Sequence, residues 1–367
     1  MSLTRIHRLT QLAAQAKFDC VAITPGPNMH YFTGLSYHQS ERPITVFFPA
    51  AGGKPAIVVP AFEASKTEHS PIEWQVFTYQ DGQEPIEAYQ AAAKALGLDG
   101  WRVGVEALTM RVLELRLLEA AAPKAKFNPA EAIIAQLRMI KDGDEVAAMR
   151  KAIAITENAL ARVLEVIQPG MTERQVSAEL TLALLRGGAE SLSFEPLIQS
   201  GPNSALPHYV VGDRAIHSGD ILLLDFGVTI DGYASDITRT YVIGEASAEI
   251  KKIYHLVKRA NEAGRLAGKP GASGQDIDRA ARKVIEDGGY GKYFTHRTGH
   301  GLGLEGHEPP YMVEGNAVPL EAGNTYTVEP GIYIPGLGGV RIEDDMLITP
   351  NGSESLTTFD RELRVIG

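Results

Sequence analysis

An internal repeat limits the possible folds of this chain more than any other feature. The segment PGMTERQV at 169–176 returns as PGASGQDI at 270–277, 101 positions later. Each copy has a hydroxyl residue followed three positions later by a polar residue, a pattern typical of a helix start. A Gly-Gly pair ends both predicted helices, at 187–188 and 288–289. Strand-rich sequence follows each copy. We therefore predict a duplicated domain in which helices flank a sheet, with chance similarity of two amphipathic helices as the alternative.

The region before the repeat has a different pattern. Helical and strand patterns alternate through its length, which is typical of an α/β domain. The dipeptide Asn128-Pro129 interrupts the chain near the end of this region. We therefore predict two domains in an α+β protein: a smaller α/β domain at 1–130 and a second domain at 131–367.

Composition excludes several partners. The chain has 35 Lys and Arg against 45 Asp and Glu, a net charge of −10, so a nucleic-acid partner is not expected. Cys20 is the single cysteine, which excludes an internal disulfide and a thiolate zinc cluster. The sequence has no apolar run long enough to span a membrane and no signal-peptide pattern at its start. We expect a cytoplasmic protein without a membrane partner.

Two aspartates lie on one predicted hairpin. The segment ILLLDFGVTIDGYASDITRTYV at 221–242 contains Asp231-Gly232, a strong signal for a two-residue turn. That turn pairs Asp225 with Thr238 and places Asp225 and Asp236 on the same face as diagonal neighbours.

A carboxylate after four apolar residues needs a compensating positive charge. One or two metal ions could supply it for this pair. A salt bridge with Arg239 or Arg341 could supply it equally well, and the hairpin alone leaves both interpretations open.

Three further segments carry histidine or glutamate in unusual contexts. His300 and His307 lie in the glycine-rich segment HRTGHGLGLEGHE, and a regular strand would put them on opposite faces unless the glycines bend it. Glu329 ends the run TYTVE, and Glu343 shares a strand face with Arg341. Taken singly, each acid is consistent with an exposed charge. Together, two Asp, one His and two Glu suit divalent ions such as Mn²⁺, Co²⁺, Zn²⁺ or Fe²⁺.

These segments resemble the metal-dependent peptidases of pita-bread fold, a family that includes methionine aminopeptidase, aminopeptidase P and prolidase (Xaa-Pro dipeptidase). The resemblance is carried by DFG, SDITRT, GHGLGLEGHE, VEPGIY and VRIEDD, which occur in the family order. The extra N-terminal domain is similar to that of the Xaa-Pro branch, which includes creatinase; creatinase lacks the complete metal set. The resemblance implies a pita-bread catalytic domain with a pseudo-twofold duplication, preceded by a creatinase-like N-terminal domain.

The resemblance also implies a role for each matching residue. Asp225 binds one metal ion, Asp236 and Glu343 bridge two ions, and His300 and Glu329 bind the other. Glu329 in addition accepts the proton of the attacking water. His208 and His307 have catalytic roles, because they stabilise the tetrahedral intermediate or guide the leaving nitrogen. His296 contacts the substrate. Arg341 and Thr238 orient the carboxylate ligands.

The sequence departs from the family pattern beside His307. Gly306 precedes this histidine where the family has Ile or Val. Prolidases carry an Arg shortly after it that binds the free carboxylate of the dipeptide, whereas this chain has Tyr311 there and no Arg or Lys from 308 to 340. We expect Tyr311 at the substrate site.

The carboxylate-binding group must then come from elsewhere. His38 or Arg42, in the segment SYHQSERP, is our candidate, reaching the site from the partner subunit of a homodimer. An ordinary surface loop is the alternative interpretation of this segment.

The predicted function is hydrolysis of Xaa-Pro dipeptides, in which two divalent ions, most often Mn²⁺, activate a water that attacks the scissile carbonyl. The alternative is aminopeptidase P, which acts on longer Xaa-Pro-Yaa peptides and needs no carboxylate reader after His307. A non-catalytic binding protein and a lyase or amidinohydrolase on the same scaffold are more distant alternatives.

Overall fold

The computed structural model describes residues 2–206 and 209–366. The chain divides into two compact units, with Arg138 as the last residue of the first and Met139 as the first residue of the second.

The N-terminal unit is built on a mixed sheet covered by helices. The sheet has six strands in the order β4-β3-β2-β1-β5-β6. Its strands are β1 (Cys20–Ile23), β2 (Thr45–Pro49), β3 (Ala56–Pro60), β4 (Gln75–Tyr79), β5 (Arg102–Val105) and β6 (Lys126–Pro129). The helices are α1 (Ser2–Gln15), α2 (Pro27–Thr33), α3 (Ile86–Leu96), α4 (Val112–Ala121) and α5 (Glu131–Arg138), with a 3-10 helix at Ala61–His69. Strands β1, β2 and β3 are buried along their whole length, as expected for strands in the middle of a sheet covered on both faces.

Helix α5 belongs to the N-terminal unit, although the predicted boundary between 130 and 131 placed it in the second domain. The Tyr31 hydroxyl donates to the carbonyl of Leu137 at 2.9 Å, and Arg138 donates to Asn28 at 2.8 Å. The difference arises because Pro129 ends β6 by pairing with Val105 rather than opening a linker. A proline at a strand terminus and one in a linker look alike in sequence.

The C-terminal unit contains two pairs of helices. They are α6 (Gly143–Val163), α7 (Glu173–Arg186), α8 (Ala248–Ala267) and α9 (Gly274–Asp287), with 3-10 helices at Gly201–Ala205 and Gly291–Tyr293. Helices α7 and α9 both have 14 residues, and their bounds are related by the predicted offset of 101. Both begin with a capping box, at Thr172 and at Ser273. The repeat predicted from the sequence is therefore present as two equivalent helices.

Two main sheets and two smaller ones complete this unit. The four-stranded sheet has the order β20-β12-β9-β8, and the five-stranded sheet has the order β14-β13-β15-β18-β19. The strands are β7 (Ser191–Leu192), β8 (Leu197–Ser200), β9 (Ile221–Phe226), β10 (Val228–Ile230), β11 (Tyr233–Ala234), β12 (Ile237–Ile243), β13 (Gly299–Gly301), β14 (Glu308–Met312), β15 (Thr325–Val328), β16 (Gly331–Ile334), β17 (Gly338–Arg341), β18 (Asp344–Thr349), β19 (Gly352–Ser355) and β20 (Val365–Ile366).

The hairpin register follows the prediction. Ile230 pairs with Tyr233, and Asp225 pairs with Thr238. Asp231 and Gly232 have φ values of 51° and 82°, as a type I′ turn requires at both central positions. The turn residues thus set the register, and the register brings Asp225 and Asp236 to one face.

None of the helices in residues 2–206 and 209–366 is long and apolar enough to cross a membrane.

The cap of α7 provides a stability prediction. The Thr172 hydroxyl accepts the amide N–H of Gln175 at 3.2 Å, and the Gln175 side chain accepts the amide N–H of Thr172 at 2.8 Å. Replacing Thr172 by alanine leaves a helix-end N–H without its acceptor, so we expect a loss of about 1 kcal/mol in the free energy of unfolding. Urea denaturation measures this value. Thr172→Ser keeps the hydroxyl and is expected to stay close to wild type; equal losses for the two variants would contradict the capping role.

Candidate metal centre and substrate cavity

A cavity of about 710 Å³ in the C-terminal unit is lined by all five predicted metal ligands. Its lining includes Asp225 from β9, Asp236 before β12, His300 from β13, Glu329 after β15 and Glu343 between β17 and β18. Residues that are more than 100 positions apart in sequence thus meet because two sheets converge here.

The five predicted ligands form two overlapping groups. One contains Asp225, Asp236 and Glu343, and the other contains His300, Glu329 and Glu343. His307 also lies within ligand distance of Asp236 and His300. Within each group, one ligand atom per residue lies within 4.8 Å of the others. Because Glu343 belongs to both groups, its carboxylate lies between the two sets of ligands.

Two buried oxygens in this cluster have no protein partner. Asp225 Oδ1 and Asp236 Oδ1 lack a hydrogen-bond donor within the described part of the chain. Burial raises the pKa of Asp225, and it raises the pKa of Asp236 and Glu343 well above the usual range, with neighbouring carboxylates adding to the shift. Buried acids without donors are costly unless a cation neutralises them. An oxygen-rich set with one imidazole fits a divalent ion.

Glu329 and His300 form a pair at the other side of the cluster. His300 Nε2 lies 3.3 Å from Glu329 Oε1. The backbone N–H of Glu329 donates to the carbonyl oxygen of Thr298 at 2.8 Å. Burial alone would raise the pKa of Glu329, but the hydrogen bond and charge of His300, with further nearby cations, lower it to about 2. The Glu329 carboxylate is therefore ionised at neutral pH and can accept a proton.

Arg341 and Thr238 contact the carboxylates, as the resemblance implied. Thr238 donates to Glu343 at 2.6 Å, and the Nε of Arg341 donates to Thr238 at 3.0 Å. Arg341 also donates to Asp225 Oδ2. Of the two salt-bridge candidates, Arg341 thus pairs with Asp225, and the other oxygen of Asp225 has no partner in residues 2–206 and 209–366.

Arg239, the second salt-bridge candidate, serves a different carboxylate. It is fully buried and donates to Asp344 at 2.8 Å. It also donates to the backbone oxygens of Thr238 and Glu343, at 3.0 and 2.6 Å. Arg239 therefore fixes the backbone beside the cluster without neutralising Asp225 or Asp236.

The glycine-rich segment brings two histidines together. The rings of His300 and His307 lie 3.9 Å apart between centroids. The pairing of β13 with β14 shifts register between Gly299 and Gly301, which produces the bend that the sequence required. A side chain at Gly301 would meet the backbone oxygens of Glu308 and Pro309 at 2.4 and 2.3 Å, so this close approach needs glycine.

His296 and His307 face the cavity with neutral rings. His296 Nε2 lies 2.8 Å from the Tyr333 hydroxyl, and burial lowers its pKa. Loss of water around His307, together with the nearby charges of His300 and Arg297, lowers its pKa to about 4. A neutral imidazole can donate one hydrogen bond and accept another, which suits contact with a peptide.

Two further residues of the site were not predicted from the sequence: Tyr333, which contacts the cavity residues His296 and Arg341, and Arg297, which lines the cavity itself. The Tyr333 hydroxyl accepts a hydrogen bond from Arg341 at 2.9 Å and so links Arg341 to His296. The register of β16 and β17 could have revealed this, because Gly331 pairs with Arg341 and Tyr333 is its diagonal neighbour. Arg297 lines the cavity and lies between His296 and His300, two residues to which the resemblance gave a role.

Tyr311 does not line the cavity itself. Its ring lies against the guanidinium of Arg297, with 4.5 Å from the guanidinium carbon to the ring centroid.

The remaining candidates belong to the N-terminal unit or fall outside the described residues. His208 is not among the residues that the structure describes. His38 is exposed in the N-terminal unit. Arg42 is in the same unit, and its guanidinium donates to Asp81 and Glu41.

Both units match known protein families. Residues 147–350 match metallopeptidase family M24, and residues 5–140 match the creatinase/prolidase N-terminal domain. This confirms the resemblance and the two-domain pita-bread fold expected from the sequence.

Solved structures resemble the chain over its whole length. A dipeptidase from Pyrococcus horikoshii OT3 is 38% identical with a TM-score of 0.94, covering 99% of this chain and 100% of its own. A prolidase from Thermococcus sibiricus is 34% identical with a TM-score of 0.95, covering 100% and 99%. An X-Pro aminopeptidase from Thermotoga maritima MSB8 is 31% identical with a TM-score of 0.86, covering 98% and 99%.

Proposed function

The chain belongs to metallopeptidase family M24, and from this premise we propose that it hydrolyses Xaa-Pro dipeptides with the help of two bound divalent metal ions. The observation that carries this proposal is the buried cluster of five candidate ligands beside a cavity. Each of its two aspartates has one oxygen without a hydrogen-bond partner in the described part of the chain. Relatives described as a dipeptidase and a prolidase support the substrate class.

The two overlapping ligand groups indicate how two ions would be held. Asp225, Asp236 and Glu343 would hold one ion, and His300, Glu329 and Glu343 would hold the other. We propose Mn²⁺ as the native ion, because mixed carboxylate and imidazole ligands suit it, with Co²⁺, Zn²⁺ and Fe²⁺ as alternatives. When bound, such ions acidify a water molecule and polarise a carbonyl group.

The protein groups complete the chemistry. Glu329 is ionised and takes the proton of the attacking water. His307 donates from its neutral ring to the oxygen or nitrogen of the peptide as the carbonyl becomes tetrahedral, and we assign the same task to His208. His296, fixed by its contact with Tyr333, orients the substrate. Thr238 and Arg341 hold Glu343 and Asp225 in place.

This arrangement suits a bond before proline. The Xaa-Pro bond is a tertiary amide without an N–H, so a site cannot bind it through that donor. Here the groups that face the cavity need only the carbonyl oxygen and the leaving nitrogen.

Aminopeptidase P activity is the second candidate function. It is favoured by one observation, the absence of Arg or Lys after His307 as far as residue 340. A longer peptide has no free carboxylate at that subsite. The similarity to an X-Pro aminopeptidase supports the same alternative.

One assay separates the two functions. Chelator-treated protein is restored with Mn²⁺ and supplied with Ala-Pro or Ala-Pro-Ala in parallel. We expect metal-dependent release of proline from the dipeptide and at least about 10-fold lower kcat/KM for the tripeptide. A tenfold preference requires a difference of only about 1.4 kcal/mol between the two substrates in transition-state free energy. Turnover of the tripeptide alone would identify an aminopeptidase P, and no turnover of either would contradict both candidates.

The setting of this activity is also part of the proposal. We propose a cytoplasmic homodimer that acts on proline-containing di- or oligopeptides. If the partner subunit supplies His38 or Arg42, substitution of either residue will raise KM for Ala-Pro in the dimer.

A further inference from the structure

We propose that Arg297 binds the free carboxylate of the dipeptide substrate and that Tyr311 holds the Arg297 guanidinium in position. This inference rests on the proposed dipeptidase function and deepens it, because it identifies the residue that makes a dipeptide the preferred substrate.

The cavity offers two guanidinium groups, and one of them is fully engaged. Arg341 is buried and donates to Thr238, Tyr333 and Asp225. Arg297 is half-buried, lines the same cavity, and has no ion pair or hydrogen bond through its guanidinium within the described residues. It therefore retains all its donors for a ligand.

The ring of Tyr311 explains how the free guanidinium stays ordered. A guanidinium 4.5 Å from an aromatic centroid is held by cation–π attraction and by stacking. Stacking uses the flat face of the group and leaves the N–H donors at its edge available. The ring of Tyr311, on β14, thus supports an arginine from the segment that precedes β13.

The N–H donors at the edge of the Arg297 guanidinium indicate which chemical group it would bind. Five N–H donors in a planar fork match the two oxygens of a carboxylate, and this pairing is among the strongest hydrogen bonds in proteins. Arg297 directly follows His296, which contacts the substrate in the proposed function. Because Arg297 and the predicted metal ligands line one cavity, we assign its carboxylate partner to the residue after the scissile bond, the free C-terminus of a dipeptide.

Arg42 is a weaker candidate for the same task. Its guanidinium is already bound by Asp81 at 2.7 Å and by Glu41, so binding a substrate would first require breaking these contacts. Arg297 needs no such rearrangement.

The experiment compares two substrates that differ only in the C-terminal charge. Ala-Pro and Ala-prolinamide are supplied to the Mn²⁺-loaded wild type and to Arg297→Gln. We expect the variant to raise KM for Ala-Pro by about 10- to 100-fold, with a smaller effect on kcat, because one charge-assisted pair is lost. Hydrolysis of Ala-prolinamide is expected to change less than about threefold, so the preference for the free acid disappears. Inhibition by proline should weaken in parallel, and inhibition by prolinamide should not.

Matched variants separate recognition from folding. Arg279→Gln removes an exposed guanidinium of the same unit that pairs with Glu314, and it should keep the wild-type ratio of the two substrates. Tyr311→Phe keeps the aromatic ring and should also keep the ratio. Tyr311→Ala should reduce it. The melting temperature of each variant shows whether it is folded.

The outcomes distinguish this inference from the proposed function. No turnover by the wild type would contradict the proposed function and the inference with it. Normal turnover by the wild type, with an unchanged ratio of acid to amide in a folded Arg297→Gln, would overturn the role of Arg297 alone. Turnover of Ala-Pro-Ala but not Ala-Pro would overturn it as well.

Discussion

Replacement of Glu329 by glutamine is expected to lower kcat for Ala-Pro by about 1000-fold. The glutamine side chain has nearly the same shape, so residue 329 can keep its contact with His300. The hydrogen bond from its backbone N–H to the carbonyl oxygen of Thr298 can also persist. It has no carboxylate to accept the proton of the attacking water. The loss therefore falls on the chemical step more than on substrate binding.

Kinetics and metal analysis together test this role. Steady-state assays of the Mn²⁺-loaded variant give kcat and KM, and the bound Mn²⁺ per chain shows whether the site still fills. Glu314→Gln makes the same chemical change at an exposed salt bridge and should retain wild-type kcat. A Glu329→Gln enzyme within about tenfold of wild type would show that another group accepts the proton.

Replacement of Asp236 by asparagine is expected to change stability in opposite directions with and without metal. Burial first, and then the charges of Glu343 and Asp225, raise the pKa of Asp236 well above its usual range. An acid with a raised pKa in the folded protein lowers stability as the pH rises above its ordinary value of about 4. Asparagine carries no charge, so at neutral pH the metal-free variant should be more stable than the metal-free wild type.

The metal-loaded protein should respond in the reverse sense. Mn²⁺ binds the folded wild type and raises its melting temperature, with about 2.7 kcal/mol of stabilisation at 100 times the dissociation constant. Asp236→Asn replaces one oxygen of a carboxylate whose buried Oδ1 has no hydrogen-bond donor among the described residues and which we propose as a metal ligand. This stabilisation and at least about 99% of the activity should therefore be lost. Thermal melts at pH 7 with chelator or with Mn²⁺ measure both effects.

The control is an acid outside the cluster. Asp213 forms an exposed salt bridge with Arg174, and Asp213→Asn should shift neither the metal-free stability nor the response to Mn²⁺ appreciably. An Asp236→Asn protein that is destabilised without metal and still stabilised by Mn²⁺ would contradict the assignment of Asp236 as a ligand.

Local sequence signals predicted the parts of the site that depend on short-range geometry. The Asp231-Gly232 turn set the register that places Asp225 opposite Thr238. The hydroxyl and polar residues at Thr172 and Ser273 marked the starts of two equal helices. These features could be predicted because turns and caps are decided by a few neighbouring residues.

The boundary between the two units could not be predicted as closely from the sequence. The contact of α5 with the N-terminal unit depends on Tyr31, whose partner Leu137 is 106 positions away. No periodicity within 131–138 indicates which unit that helix covers. Tyr333 is a different case, because it lies only 8 positions from Arg341 and the register of β16 and β17 could have indicated their contact.

The sequence by itself predicted the two-domain α+β architecture and the duplicated helices, and it supplied the residues that we propose as metal ligands. Tertiary structure decided which charges pair: Arg341 with Asp225, Arg239 with Asp344, and Arg297 with the ring of Tyr311 instead of an acid. Local periodicity follows from backbone geometry over a few residues, whereas the Arg341–Asp225 pair joins groups 116 positions apart. Such pairings depend on how the sheets converge, and that convergence left Arg297 free to face the cavity.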